Sequence, residues 1–271
     1  MARAARRWYT GPNNPMGVAD MILQRDLTYT QAGDLALKLD LMMPEAQRPP
    51  LILWIHGGGW MALDKDWCPM RGWVDKGYAV ASVDYRLSQQ AVFPAQIADC
   101  KAALAFLVAH ADRFGYDPGR IAVAGDSAGG HLAALMGCTD RGGPFGGPEG
   151  VIRAVVDLFG PTDLAHMGGS HDAPDSPESA VLGAPVKSPE GQAAGRAADP
   201  VTYIADQTPP FLILHGDRDD VVDIRQSQRL FTALIQHGAC AQFVTVPGAG
   251  HGFPCSLVEG TIDAFLERYL G

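Results

Sequence analysis

The stretch RIAVAGDSAGGHLAAL, Arg120–Leu135, constrains the fold more than any other part of the chain. A short apolar run breaks into Gly-Asp-Ser-Ala-Gly-Gly and an apolar pattern then resumes, which predicts a strand turning sharply into a helix with Ser127 on the turn. Glycines on both sides of that serine are needed where neighbouring stretches of backbone come very close. A Walker loop would end in Gly-Lys-Ser/Thr and a dinucleotide fingerprint would start with G-x-G, and neither is present.

The rest of the chain sets that turn in a repeating frame. DLTYT and LALKLDLMMP read as two strands around QAGD, followed by strands in PPLILWIHGGGW and GYAVASVDYRL. Pro94 opens a helix whose Ile97, Cys100, Leu104, Leu107 and Val108 recur at helical spacing. RAVVDLFG, PPFLILHG and CAQFVTVPG are further strands. VDIRQSQRLFTALIQHG is a helix with Leu230, Phe231 and Leu234 inward and Gly238 as its stop, and SLVEGTIDAFLERYL is a closing helix. Apolar strands alternating with amphipathic helices specify an α/β fold with a mostly parallel sheet covered on both faces, whose ligands gather at the carboxyl ends of the strands. HGGGW, GDSAGG, HGDRDD and GAGHGF each follow a predicted strand and so fall on one edge. The 271 residues suit a single domain. Pro161 to Ile204 breaks the rhythm, being long and rich in Pro, Gly, Ala and Ser, and is expected to be a lid over that edge or a loose insertion. The arm at residues 1–25 is expected to add to such a cap.

Composition narrows the function classes. An apolar fraction of 47% with 19% charged residues supports a large core. A net charge of −9 disfavours nucleic acid as a partner. No run reaches the ~18 to 20 apolar residues of a membrane span, and no signal-peptide core follows the basic start, so a soluble protein is expected, cytoplasmic rather than secreted unless a leader has been removed. The five cysteines lack C-x-x-C spacing, and their odd number favours a reducing compartment.

Gly125-Asp126-Ser127-Ala128-Gly129 matches G-x-S-x-G, the nucleophile elbow. An alcohol is a weak nucleophile, so Ser127 needs a base, and His251, in a glycine-flanked loop after the last strand, is the best placed of eight histidines. His56 and His215, each before a glycine at a strand end, read as loop-fixing groups, while His166 and His171 read as solvated, without metal-ligand spacing. An imidazole base requires an orienting carboxylate. The loop HGDRDDVVD offers Asp217, Asp219, Asp220 and Asp223, among which the residues alone do not choose, although Asp223 suits a helix N-cap. HGGGW supplies side-chain-free backbone, and the N–H of Ala128 another donor, for an oxyanion. Trp60 and Phe253 are candidate pocket walls and, equally, ordinary core.

Together HGGGW, VDYRL, FPAQIADCKAA, GDSAGGHLAAL, HGDRD and GAGHGF resemble the α/β-hydrolase-fold carboxylesterases related to hormone-sensitive lipase and the bacterial feruloyl-esterase-like group. The resemblance runs from LDLMMP to the C-terminal helix. It implies Ser127 as nucleophile, His251 as base, Asp219 as acid, and Gly58, Gly59 and Ala128 as oxyanion donors. Relatives often carry proline after the acid, where this chain has Asp220, which leaves Asp220 as a rival. The implied activity is a serine carboxylesterase acting on small acyl or aromatic esters, feruloyl or acetyl esters among them. Its partner is a small-molecule substrate, it needs neither metal nor organic cofactor, and a homodimer is compatible. The rival readings are an arylformamidase, other amidase or carbamate hydrolase, and a non-catalytic binding protein on the same fold.

Overall fold

The computed structural model describes residues 22–271. Of the arm at 1–25, residues 1–21 therefore lie outside the described residues. The strands β1 (Ile22–Ala32), β2 (Leu35–Met43), β3 (Leu51–Ile55), β4 (Ala79–Val83), β5 (Ile121–Asp126), β6 (Ile152–Leu158), β7 (Phe211–Gly216) and β8 (Ala241–Val246) form one sheet in the order β1-β2-β4-β3-β5-β6-β7-β8. β2 pairs antiparallel with β1 and β4, and every pairing from β4 through β8 is parallel.

The continuous apolar runs are explained by burial on both faces. In β3, Leu51, Leu53 and Ile55 enter one core and Ile52 and Trp54 the other, all inaccessible to solvent. β7 divides likewise, Phe211 and Ile213 from Leu212 and Leu214. The first core is covered by α1 (Ala95–Phe114), α2 (Ala128–Cys138) and α5 (Arg225–Gln236), the second by a 3₁₀ segment, Pro69–Lys76, and by α6 (Glu259–Leu270). Within α5, Leu230 and Leu234 are fully buried and Phe231 is partly so. The N-cap of α5 is Ile224 rather than the expected Asp223, which lies one residue outside the helix and accepts from the N–H of Arg225 at 2.9 Å.

Between β6 and β7, the segment expected to be a lid or loose insertion carries α3 (Pro177–Leu182) and α4 (Pro189–Ala198). Ser176 and Ser188 cap them through the N–H groups of Ser179 and Gly191, each with proline in the first turn. Val181, Leu182 and Ala198 join the first core. The segment is pinned at four places. Phe93 N–H donates to Val181 O at 2.7 Å and His131 Nε2 to Ala198 O at 2.7 Å. Arg229 makes a bidentate pair with Asp199, and the Gln226 side-chain oxygen accepts from the N–H groups of Thr162 and Asp163. Among the described residues all five cysteines are free, and no helix is long and apolar enough to cross a membrane.

Candidate active site

The turn between β5 and α2 holds Ser127 at φ +52° and ψ −119°, a left-handed backbone that a residue with a side chain adopts only at a cost of about 1–3 kcal/mol. Its N–H donates to Leu158 O of β6 at 2.8 Å, which ties the turn to the neighbouring strand end. A Cβ on Gly125 would overlap the carbonyl of Gly129, and one on Gly129 would overlap the carbonyl of Ile55 at the end of β3. The motif's glycines are thus set by the closeness of strand, turn and helix.

His251, in the loop after β8, brings Nε2 to 3.0 Å from Ser127 Oγ and Nδ1 to 2.8 Å from Asp219 Oδ2. Since a carboxylate only accepts, Nδ1 carries the imidazole proton and Nε2 is left to accept from the Ser127 hydroxyl. The rings of His251 and Phe159 meet edge to face at 4.8 Å, and Phe253 packs on Phe159 at 5.0 Å. The Asp219 side chain is wholly inaccessible, whereas Asp220 is exposed and Asp223 is occupied by Arg225. Asp217 accepts from the N–H of Gly248 at 2.6 Å. Asp219 is the one of the four that faces His251. Burial raises its carboxyl, but hydrogen bonds from His215 and His251 and from the N–H of Val222 outweigh that and hold it well below the usual carboxylate range.

Gly58 and Gly59, after β3, have φ of +93° and +61°. At Gly58 a Cβ would also overlap the carbonyl of Ala62, so the loop is closed to side chains there. The N–H of Ala128 heads α2, where helix geometry leaves it without an intrahelical acceptor. Pro177 of α3 stands beside this loop, 3.5 Å from where a Cβ on Gly59 would lie. Trp60 is 2% exposed and meets His131 edge to face, and Phe253 is 9% exposed.

The remaining polar groups hold loops. His56 Nδ1 donates to Gly57 O at 2.9 Å, and burial pushes the rings of His56 and His131 down to about 4. Asp126 accepts from the Trp67 indole at 2.9 Å, and burial pushes it up to about 6. His171, expected to be solvated, instead faces Glu178 Oε1 at 2.9 Å and the Val221 carbonyl at 2.8 Å, because the insertion folds back onto the Asp219 loop. Among the described residues no cluster of His, Cys, Asp and Glu could hold a metal ion. A cavity of about 270 Å³ lined by Gly137, Cys138, Arg141, Tyr203 and Thr208 lies at the far end of α2, roughly 15 Å from Ser127 at 1.5 Å rise per residue, and takes no part in this site.

Residues 39–234 match the BD-FAE family. Esterase LipC of Mycobacterium tuberculosis (strain ATCC 25618 / H37Rv) is 33% identical over 224 residues, covering 78% of this chain and 54% of LipC. The chain spans about half the length of the curated relatives it matches. Among solved structures, a truncated carbohydrate esterase from gut microbiota superposes with a TM-score of 0.78 at 30% identity, covering 92% of this chain and 97% of that one. A bifunctional GH43-CE protein of Bacteroides eggerthii gives 0.80 at 32% identity, covering 92% of this chain and 35% of its own. With an eight-stranded, mostly parallel sheet and a serine on its elbow, the chain belongs to the BD-FAE family, in the hormone-sensitive-lipase-like group of α/β-hydrolase-fold proteins.

Proposed function

We propose that this protein is a serine carboxylesterase in which Ser127, His251 and Asp219 act as a triad and Gly58, Gly59 and Ala128 receive the oxyanion. The observation that carries the reading is the unbroken line from Ser127 Oγ to His251 Nε2 at 3.0 Å and from His251 Nδ1 to Asp219 Oδ2 at 2.8 Å. As Oγ attacks the ester carbonyl its proton passes to Nε2, and the ionised Asp219 stabilises the imidazolium so formed. The carbonyl oxygen becomes an oxyanion held by backbone N–H groups, each worth on the order of 10²- to 10³-fold in rate. The C–O bond then breaks, the alcohol leaves with the proton from His251, and an acyl-Ser127 remains. Water attacks that ester with His251 again as base, releasing the acid and restoring Ser127.

The substrate class we propose is an ester of a small or aromatic acid, such as acetyl or feruloyl, on a carbohydrate alcohol. Two similar solved structures are named as a carbohydrate esterase and a GH43-CE protein, which supports that alcohol. The segment 161–204 is proposed as a lid, since Pro177 stands beside Gly59 and His171 against the Val221 carbonyl.

The test is hydrolysis of a matched panel, p-nitrophenyl acyl esters, a feruloyl ester, an acetylated xyloside and an aryl formamide, by wild type and Ser127→Ala in parallel. Activity on the esters that vanishes in the variant, with fluorophosphonate labelling of Ser127, is the expected result. A rate highest on the formamide would move the activity to amide cleavage. A folded wild type that neither turns over nor labels would overturn the enzyme reading in favour of a binding protein.

A further inference from the structure

His215 is the last histidine before the acid loop and is wholly inaccessible to solvent. Its Nε2 faces two acceptors, the Val222 carbonyl at 2.8 Å and Asp219 Oδ2 at 3.1 Å. Its Nδ1 lies 2.7 Å from Ser227 Oγ on α5. Neither partner of Nε2 has a proton to give, so the ring must carry its proton there and accept at Nδ1 from the Ser227 hydroxyl. The same Oδ2 of Asp219 accepts from His251 Nδ1, and Oδ1 accepts at 2.9 Å from the N–H groups of both Val221 and Val222. Two imidazoles therefore compete for one carboxylate oxygen.

We propose that His215, its tautomer set by Ser227, is a positioning residue for the esterase reaction that fixes the Asp219 carboxylate and limits how strongly it draws on the His251 Nδ1 proton. This role rests on the triad reading above. Without the His215 N–H, the full charge of Asp219 turns to His251 and favours its imidazolium, which cannot accept from Ser127. The charged groups facing these rings are Asp219 and Asp126 at His251, and Asp219, Asp157 and Asp223 at His215. Of these, Asp219 alone lies within 3.1 Å of both rings.

The test compares wild type, His215→Phe and His215→Gln on one p-nitrophenyl ester across pH, with thermal melts and fluorophosphonate labelling alongside. His215→Phe should lower kcat by on the order of ten- to a hundredfold with KM within about twofold, as for residues that orient a functional histidine. The acid limb of its kcat/KM profile should move up by about 0.5 pH unit, because a donor to the carboxylate has been removed. His215→Gln, which restores an N–H, should recover most of kcat and return the limb toward wild type. A limb that does not move, with activity merely following the folded fraction, would overturn the proposal. If His215→Phe does not fold, ¹⁵N spectra of histidine-labelled wild type decide, since a proton found on Nδ1 of His215 rather than on Nε2 also overturns it. Labelled Ser127 with an unmoved limb sinks the His215 role alone. An unlabelled Ser127 in active wild type sinks the triad reading and this role together.

Discussion

The carbonyl of Ile55 packs directly against Cα of Gly129, so closely that a Cβ at 129 would occupy the same space as the oxygen. The end of β3 and the first turn of α2 can approach like this only through glycine, and that approach sets the height of Ser127 above the sheet. Gly129→Ala is therefore expected to cost about 3 kcal/mol or more, by forcing backbone apart in a packed interior. Gly260, on the exposed side of α6 with open space around it, is the control. Gly260→Ala should be neutral or stabilise by up to ~1 kcal/mol through helix propensity. Denaturant melts of the two variants check the contrast, and equal effects would contradict it.

Asp219 and Asp220 are adjacent in sequence but differ in environment, the first with an inaccessible side chain facing two imidazoles within 3.1 Å, the second exposed. Asp219→Asn should reduce kcat by on the order of 10³- to 10⁴-fold, because an amide can hold His251 in the wrong tautomer. Asp220→Asn should leave it within about twofold. Steady-state kinetics on one ester reads both, and comparable losses would reassign the acid.

Buried Asp157 gives stability a pH dependence. Its Oδ1 accepts from Gly160 N–H at 2.9 Å, and its Oδ2 has no partner among the described residues. Burial pushes the carboxyl up to about 6 from an ordinary 3.8, although the Gly160 N–H opposes it. A group raised in the folded state contributes stability that is complete below its unfolded pKa and is lost as pH rises through the folded one. Relative to Asp157→Asn, wild type should thus lose up to about 3 kcal/mol between about pH 4 and 6.5. Parallel stability curves for the two proteins across that window would contradict this.

His171 fastens the proposed lid to the loop that carries Asp219, reaching the Val221 carbonyl while Glu178 holds its other nitrogen. Val221 in turn donates its N–H to Asp219 Oδ1. His171→Ala should raise KM for bulky aryl esters about fivefold or more while leaving that for acetate esters within about twofold, with a stability loss of about 1 kcal/mol from the missing hydrogen bonds. Equal KM changes across ester size would argue that this segment does not bound the substrate.

Apolar runs of strand length, helices with caps and stops, and glycine-rich loops after successive strands made the sheet and its active edge legible from residues alone. Their information is local, since strand burial and helix amphipathicity are written in the residues that form each element. The two short helices of the insertion were not read from the residues, although a signal for them is there: Ser-Pro-Glu occurs twice, at 176–178 and 188–190, each time as N-cap, first-turn proline and acidic residue. A segment rich in alanine and glycine masks that signal.

From the residues alone come the order of the elements and the candidates Ser127, His251 and an aspartate from HGDRDD on one edge. Tertiary structure decided that Asp219 faces His251, that His215 shares its oxygen, and that His171 closes on Val221. These choices depend on where β7, β8 and the insertion come to rest against one another. Residues 32 and 124 positions apart meet at hydrogen-bond distance there, and no local pattern encodes which side chain a distant loop will present.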